Sequence, residues 1–198
     1  MKQLIFILLS LSCFVRAQDF KVSFELKSDG IDIHKLRFYV SNITINDSLH
    51  PEQQPAYLID LLADGSGMIS IHTGNIKVDK VSFEIGTDSL LNTSGILDGD
   101  LDPIKGMYWA WNTGYINFKI EGKNELKKPF EYHVGGYRAP YATVRTFETE
   151  VKSEILYLEL NLNAFISEAQ LISTELMIPG KEAVQLSDIF KNSFHVKD

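Results

Sequence analysis

Hydrophobic and polar residues alternate with a period of two along most of the chain after residue 17. In the first such segment Phe20, Val22, Phe24 and Leu26 alternate with polar or charged residues. Successive side chains of a β-strand point to opposite faces, so this alternation predicts a strand with one buried face. The same pattern recurs in segments 36–40, 81–85, 116–120, 130–134 and 156–162.

The alternation shifts by one position after Val40, which predicts a β-bulge near Ser41-Asn42. Glycine-containing turn sequences separate the predicted strands at 28–30, 63–67, 97–100, 121–124 and 178–180. Many strands joined by short turns favour an all-β fold, specifically an antiparallel β-sandwich. Two short helices are expected near the C-terminus, over 163–173 and over Ser187–Phe194 with Ser187 as the N-cap. Residues 18–198 are predicted to form a single domain.

The N-terminus has the pattern of a signal peptide. Lys2 is followed by a nearly continuous apolar run over 4–15, and Val15 and Ala17 place small residues before a cut at Gln18. The sequence therefore predicts removal of residues 1–17, export to the periplasm or outer cell surface, and no transmembrane segment afterwards. Two alternatives stay open, which are an N-terminal core strand and a lipid anchor at Cys13.

Composition and missing motifs reduce the number of possible function classes. The 198 residues are 44% hydrophobic with a net charge of −7, and no stretch concentrates Lys and Arg, so a nucleic-acid partner is not expected. Cys13 is the only cysteine, and removal of 1–17 would leave imidazoles, thioethers and carboxylates as metal ligands. No nucleophile elbow, phosphate loop or HExxH sequence occurs, which favours a non-enzymatic protein.

Three histidines are candidate metal ligands. His133 follows the alternation of its strand away from the apolar face and precedes Gly135-Gly136, while His72 lies four residues after Met68. A thioether near an imidazole would suit Cu(I). His34 is the third candidate. For each of them a hydrogen-bonded or exposed histidine without a metal is the alternative interpretation.

Both tryptophans lie in segment 102–122, DPIKGMYWAWNTGYINFKIEG. In an extended chain Trp109 and Trp111 share one face, which predicts a pair of indoles that plugs the gap between two sheets. The functional alternative is redox chemistry, because an indole close to a metal or haem partner can be oxidised.

This segment resembles the signature of MbnP-like proteins. The match rests on the string Trp109-Ala110-Trp111-Asn112-Thr113-Gly114-Tyr115, and three weaker stretches at 37–43, 57–60 and 132–135 agree in order. The resemblance implies an exported bacterial β-sandwich. Some members of that family bind copper through histidines and a kynurenine made from tryptophan, with a di-haem cytochrome c peroxidase-like protein as the oxidising partner.

Carried over by position, the resemblance makes Trp109 and Trp111 the candidate cofactor residues and His133 the leading ligand. This sequence departs from the family where no histidine follows either tryptophan within two residues, and where Gly136-Tyr137-Arg138 replaces the cysteines of many relatives. We therefore expect an exported, non-enzymatic copper-binding or copper-handling protein. A metal-free binding or structural module of the cell surface is the alternative.

Overall fold

The computed structural model describes residues 18–49, 54–111 and 114–197. The strands are β1 (Gln18–Lys27), β2 (Asp32–Ile45), β3 (Ser48–Leu49), β4 (Ala56–Asp60), β5 (Met68–Gly74), β6 (Lys80–Ile85), β7 (Tyr108–Trp109), β8 (Gly114–Lys123), β9 (Pro129–Gly135), β10 (Arg145–Glu150), β11 (Ile155–Asn161), β12 (Glu175–Leu176) and β13 (Phe194–Val196). The helices are α1 (Ser89–Thr93), α2 (Leu162–Ala169) and α3 (Lys181–Asn192), with short 3-10 turns at Gly99–Leu101 and Pro103–Lys105.

Two sheets enclose the main core. The four-stranded sheet has the order β13-β11-β1-β5, and the nine-stranded sheet has the order β10-β6-β2-β8-β9-β12, with β3 and β4 beside β2 and β7 beside β8. Phenylalanines from both sheets meet edge to face between them, as where the rings of Phe24 and Phe38 lie 5.2 Å apart. Such aromatic pairs stabilise the contact beyond the burial of their area.

The expectation of an all-β sandwich is confirmed. All six segments with period-two alternation form strands, namely β1, β2, β6, β8, β9 and β11, except that the last residue of the sixth segment, Leu162, begins α2. The bulge is also present, because Asn42 has a φ of 49° and the β2–β6 register shifts between Ser41 and Thr44. Most ladders are antiparallel, but β1 pairs with β11 and β9 pairs with β12 in parallel.

The helices near the C-terminus differ from their predicted bounds. Helix α2 begins after Asn161, whose side chain caps Ala164 N, and ends at Ala169. Helix α3 begins at Lys181, so Ser187 is not its N-cap but a buried interior residue whose hydroxyl donates to the Ala183 carbonyl. The apolar face of α3 explains the earlier start, because Ala183 is buried against the core together with residues one and two turns further on.

Residues 87–111 form a covering segment between β6 and β8. Helix α1, which the sequence pattern did not predict, and both 3-10 turns lie in this segment. It packs over one half of the outer face of the nine-stranded sheet and encloses a second apolar cluster. The buried members of that cluster are Tyr39, Ala56, Leu101, Met107, Trp109, Tyr115 and Ile116. The other half of the face stays open and polar.

The prediction that both indoles are buried between the sheets is correct only in that Trp109 is buried. Trp109 is 6% exposed in the second apolar cluster, whereas Trp111 is 64% exposed. The two rings still touch, with centroids 5.4 Å apart. Strand β7 ends at Trp109 and the chain turns, so the period-two rule no longer applies to Trp111. The covering segment, rather than the space between the sheets, holds the buried indole.

Among the described residues, no helix has the length and apolar character needed to cross a bilayer. The predicted signal peptide and the alternative of a lipid anchor at Cys13 lie outside the described residues.

Candidate metal site

The hairpin of β8 and β9 places charged side chains on the open half of the outer face. Lys119 pairs with His133 across the ladder, and Glu121 pairs with Glu131. Intervening residues such as Phe118 and Ile120 face the main core and are buried. Because successive residues point to opposite faces, burying the apolar set forces the charged set outward.

His133, Glu121 and Glu131 converge on one point of this face. The Nε2 atom of His133 lies 2.8 Å from Glu121 Oε1 and 3.0 Å from Glu131 Oε1. One donor atom from each of the three residues lies within 4.8 Å of the other two. Ionised carboxylates only accept hydrogen bonds, so Nε2 carries the proton and its N–H donates to both. The His133 side chain is only 13% exposed, which keeps this group partly shielded from water.

Cations border the group on one side. Lys35 Nζ lies 3.5 Å from Glu121 Oε1. Lys119 Nζ donates to the carbonyl of Gly106 in the covering segment at 2.8 Å, and Arg37 pairs with Asp60 at 2.7 Å. Lysines therefore lie near the two carboxylates beside His133, and among the described residues Lys35 is the lysine that forms an ion pair with them.

Burial and neighbouring charges shift the pKa values of this group. Burial lowers the pKa of His133, and the hydrogen bond to Glu121 only partly opposes this. For Glu121 burial acts to raise the pKa, but the hydrogen bond from His133 and the charge of Lys35 lower it overall. The His133 imidazole is therefore neutral beside an ionised carboxylate, and a metal ion at Nε2 would also require the ring proton to lie on Nδ1.

Trp109 packs against Gly135, two residues along β9 from His133. Its ring carbon Cζ3 is 3.0 Å from the position that a Cβ on Gly135 would occupy. Gly135 and His133 are two residues apart on β9, so they share a face and are separated by about 7 Å along the strand. The structure thus brings Trp109, Trp111 and His133 into one region, at the border between the covering segment and the open half of the face.

The other two predicted ligands lie elsewhere. His72 is on β5 in the four-stranded sheet, where its Nδ1 lies 3.0 Å from Asp19 Oδ1. His34 is on β2, where the ladder with β8 shifts register, and its Nδ1 lies 4.0 Å from Asp32 Oδ1. Both side chains are about half exposed, and neither residue belongs to the group around His133.

Comparison with known proteins decides the family. The family model of MbnP matches residues 8–182. The chain belongs to the MbnP family. Among solved structures, MbnP from Methylosinus trichosporium superposes with a TM-score of 0.52 over 77% of this chain and 78% of that chain, at 15% sequence identity. This likeness shows a shared MbnP fold. No curated protein matches the chain.

Fold and family also explain the order of the motifs in this MbnP-like chain. The Trp-Xaa-Trp segment leads into β8, and the His-Xaa-Gly segment ends β9, which is the neighbour of β8. Residues far apart in sequence therefore meet on adjacent strands. Glu121 and Glu131 were not among the predicted ligands. Glu131 occupies an outward position of a predicted strand, but Glu121 lies in the predicted turn at 121–124. That turn prediction is wrong, because β8 continues to Lys123 and pairs Glu121 with Glu131.

The donor set of the group is one imidazole nitrogen and two carboxylate oxygens. Nitrogen and oxygen donors suit borderline divalent ions such as Cu(II) and Zn(II), whereas Cu(I) prefers sulfur ligands. Met107 belongs to the covering segment and is buried in the second apolar cluster. The group therefore fits a divalent ion, including the oxidised form of copper.

Proposed function

We propose that this MbnP family member is an exported, non-enzymatic copper-binding protein that holds Cu(II) with His133, Glu121 and Glu131. The observation that carries the proposal is the convergence of one imidazole and two carboxylates within 4.8 Å on a partly buried face. Family membership supports copper as the ion, and the donor types support the divalent state. Export follows from the predicted signal peptide.

The surroundings of the group support binding. The lowered pKa of His133 favours a neutral imidazole near pH 7, so binding of a metal ion at Nε2 requires only that the single ring proton move from Nε2 to Nδ1. Lys35 opposes binding by contacting Glu121, but its side chain is 36% exposed and can turn toward solvent. Loss of this exposed ion pair costs little free energy.

A modified tryptophan would add a further donor. We assign Trp109 as the candidate, because its ring lies over Gly135, two residues along β9 from His133, while Trp111 contacts that ring and is exposed to solvent. Conversion to kynurenine would cleave the indole C2–C3 bond with addition of two oxygen atoms, and hydrolysis by one water molecule would then release the formyl group as formate. The oxidant would come from a di-haem cytochrome c peroxidase-like partner. Intact mass of protein taken from its native compartment tests the conversion.

Competition titration tests the copper site. The isolated exported chain is titrated with Cu(II) against a chelator of known affinity, alongside His133→Ala and the matched control His34→Ala. We expect His133→Ala to weaken binding by more than about tenfold and His34→Ala to leave it unchanged. Binding weaker than about 1 µM in the wild type, or equal effects of the two variants, would exclude the proposed site.

The second candidate function is a metal-free binding module of the cell surface. It is favoured by exposed apolar side chains on the covering segment, where Trp111 is 64% exposed and Ile104 is 86% exposed. Exposed apolar groups of this kind occur at protein contacts. Elemental analysis of protein from its native compartment separates the two candidates, because only the first requires stoichiometric copper.

A further inference from the structure

Strand β5 forms one edge of the four-stranded sheet. Within the part of the chain that the structure describes, it pairs with β1 alone. The backbone N–H of Phe24 donates to the Gly67 carbonyl at 2.7 Å. This bond determines which residues of β5 direct their backbone groups toward β1. In an antiparallel pair, hydrogen-bonded residues alternate with residues whose backbone groups point away. The N–H and C=O groups of Met68, Ser70 and His72 therefore point outward from the edge.

This edge lacks the features that usually prevent pairing. Charged side chains, proline and bulges protect most exposed edge strands. Strand β5 has the sequence MISIHTG, without a charged residue or proline, and its register with β1 is regular from Met68 to His72. By contrast β10, at one edge of the other sheet, carries Arg145, Glu148 and Glu150. The edges β5 and β10 are therefore not equivalent. Strand β13, at the other edge of the four-stranded sheet, has only three residues, so β5 offers the longer uncharged edge to another strand.

We propose that β5 pairs antiparallel with β5 of a second copy of this chain, with the two-fold axis at Ser70. This register uses all three outward residues, since Met68 of one copy exchanges hydrogen bonds with His72 of the other while the two Ser70 residues pair with each other. A register displaced by two residues would leave one outward residue of each copy without its partner. The result is a continuous eight-stranded sheet across the dimer.

The side chains and charges of β5 are compatible with pairing to β5 of a second copy of the chain. Ile69 and Ile71 are buried on the core face and continue that face across the axis, while Met68, Ser70 and His72 are exposed on the other face. Each chain has a net charge of −7, yet the pairing strands carry no charged residue. Two copies therefore meet where like charges do not oppose each other. Asp19 already balances His72 within each chain.

Molar mass across a concentration series tests the pairing. The isolated exported chain is measured by sedimentation equilibrium, with Ser70→Pro and the matched control Ser70→Ala. Proline removes an outward N–H that β1 does not use, so the variant keeps its own fold. We expect a twofold rise in mass with concentration for wild type and Ser70→Ala, and its loss in Ser70→Pro. A wild type with the mass of one chain throughout, or a Ser70→Pro dimer, would overturn the proposal.

A charge exchange tests the register. Met68→Lys with His72→Lys places two lysines opposite each other at both ends of the pairing, whereas Met68→Glu with His72→Lys places opposite charges there. Both positions are exposed, so neither double variant disturbs the core. We expect the first double variant to be monomeric and the second to dimerise at least as well as wild type. Equal association of the two would contradict this register. Thermal unfolding curves confirm that each variant is folded.

Discussion

The indole of Trp109 packs directly on the bare α-carbon of Gly135. A Cβ on Gly135 would lie 3.0 Å from the ring carbon Cζ3 of Trp109 and 2.5 Å from the backbone oxygen of Tyr115. The aromatic segment and the His-Xaa-Gly segment are therefore two halves of one contact. Glycine at 135 lets the covering segment approach β9, and this approach places an indole two residues along the strand from His133.

The first prediction concerns this contact. We expect Gly135→Ala to lower the free energy of unfolding by about 1–3 kcal/mol, because the new methyl group meets a backbone oxygen that cannot move freely. Denaturant unfolding measures the change. Gly180→Ala is the matched control, since its Cβ would lie no closer than 3.6 Å to the Glu182 carboxylate. Equal losses in the two variants would show that the contact at Gly135 is not tight.

The second prediction separates the two tryptophans. Trp109→Ala should lower the free energy of unfolding by about 3–5 kcal/mol, because it empties a buried position in the second apolar cluster. Trp111→Ala should cost less than about 1 kcal/mol, because that side chain is 64% exposed. Urea unfolding of both variants measures the difference. Similar values would restore the symmetrical indole plug that the sequence pattern suggests.

The third prediction concerns acid. Because burial lowers the pKa of His133 below its ordinary value of 6.5, the unfolded chain binds this proton more readily than the folded chain. The stability contributed by neutral His133 is therefore fully present above pH 6.5 and is lost as the pH falls toward the lowered pKa. Resonances of the His133 ring, followed by NMR against pH, should give a midpoint below 6.5. His133→Gln should remove this part of the pH dependence of stability, and a midpoint above 6.5 would contradict the burial argument.

The fourth prediction concerns the anchor of the covering segment. Buried Asn117 accepts hydrogen bonds from the backbone N–H and the hydroxyl of Thr87, and its amide donates to Thr143 at 2.8 Å. Asn117→Ala leaves the Thr87 N–H buried without this acceptor, so we expect a loss of about 1–3 kcal/mol in the free energy of unfolding. The same substitution at exposed Asn75 should change it little. A negligible effect at Asn117 would mean that water replaces the amide.

The strands were predictable from sequence because burial of one face imposes a period of two. The alternation at Phe20–Leu26 and at Phe130–Val134 leaves little freedom in which side chains face the core. The bulge near Asn42 was predictable for the same reason, since one extra residue reverses every later side chain. The helix starts were harder to predict from the sequence, because the start of α3 at Lys181 depends on packing of Ala183 against distant strands.

The candidate site was only half predictable. His133 stood out through its position before Gly135, but Glu121 and Glu131 acquire meaning only through the β8–β9 register. The exposure of Trp111 could not be read from alternation, because the chain turns directly after Trp109. Local pattern fixes the face of a residue within a strand, whereas the meeting of residues on neighbouring strands depends on tertiary pairing.

The most direct test of the copper site is anomalous diffraction at the copper absorption edge, from crystals of the exported chain grown with stoichiometric Cu(II). The proposed site predicts one dominant anomalous peak within about 2–2.3 Å of His133 Nε2 and of an oxygen of Glu121 or Glu131. A dominant peak at His72, at His34 or at any position away from β8 and β9 would contradict it.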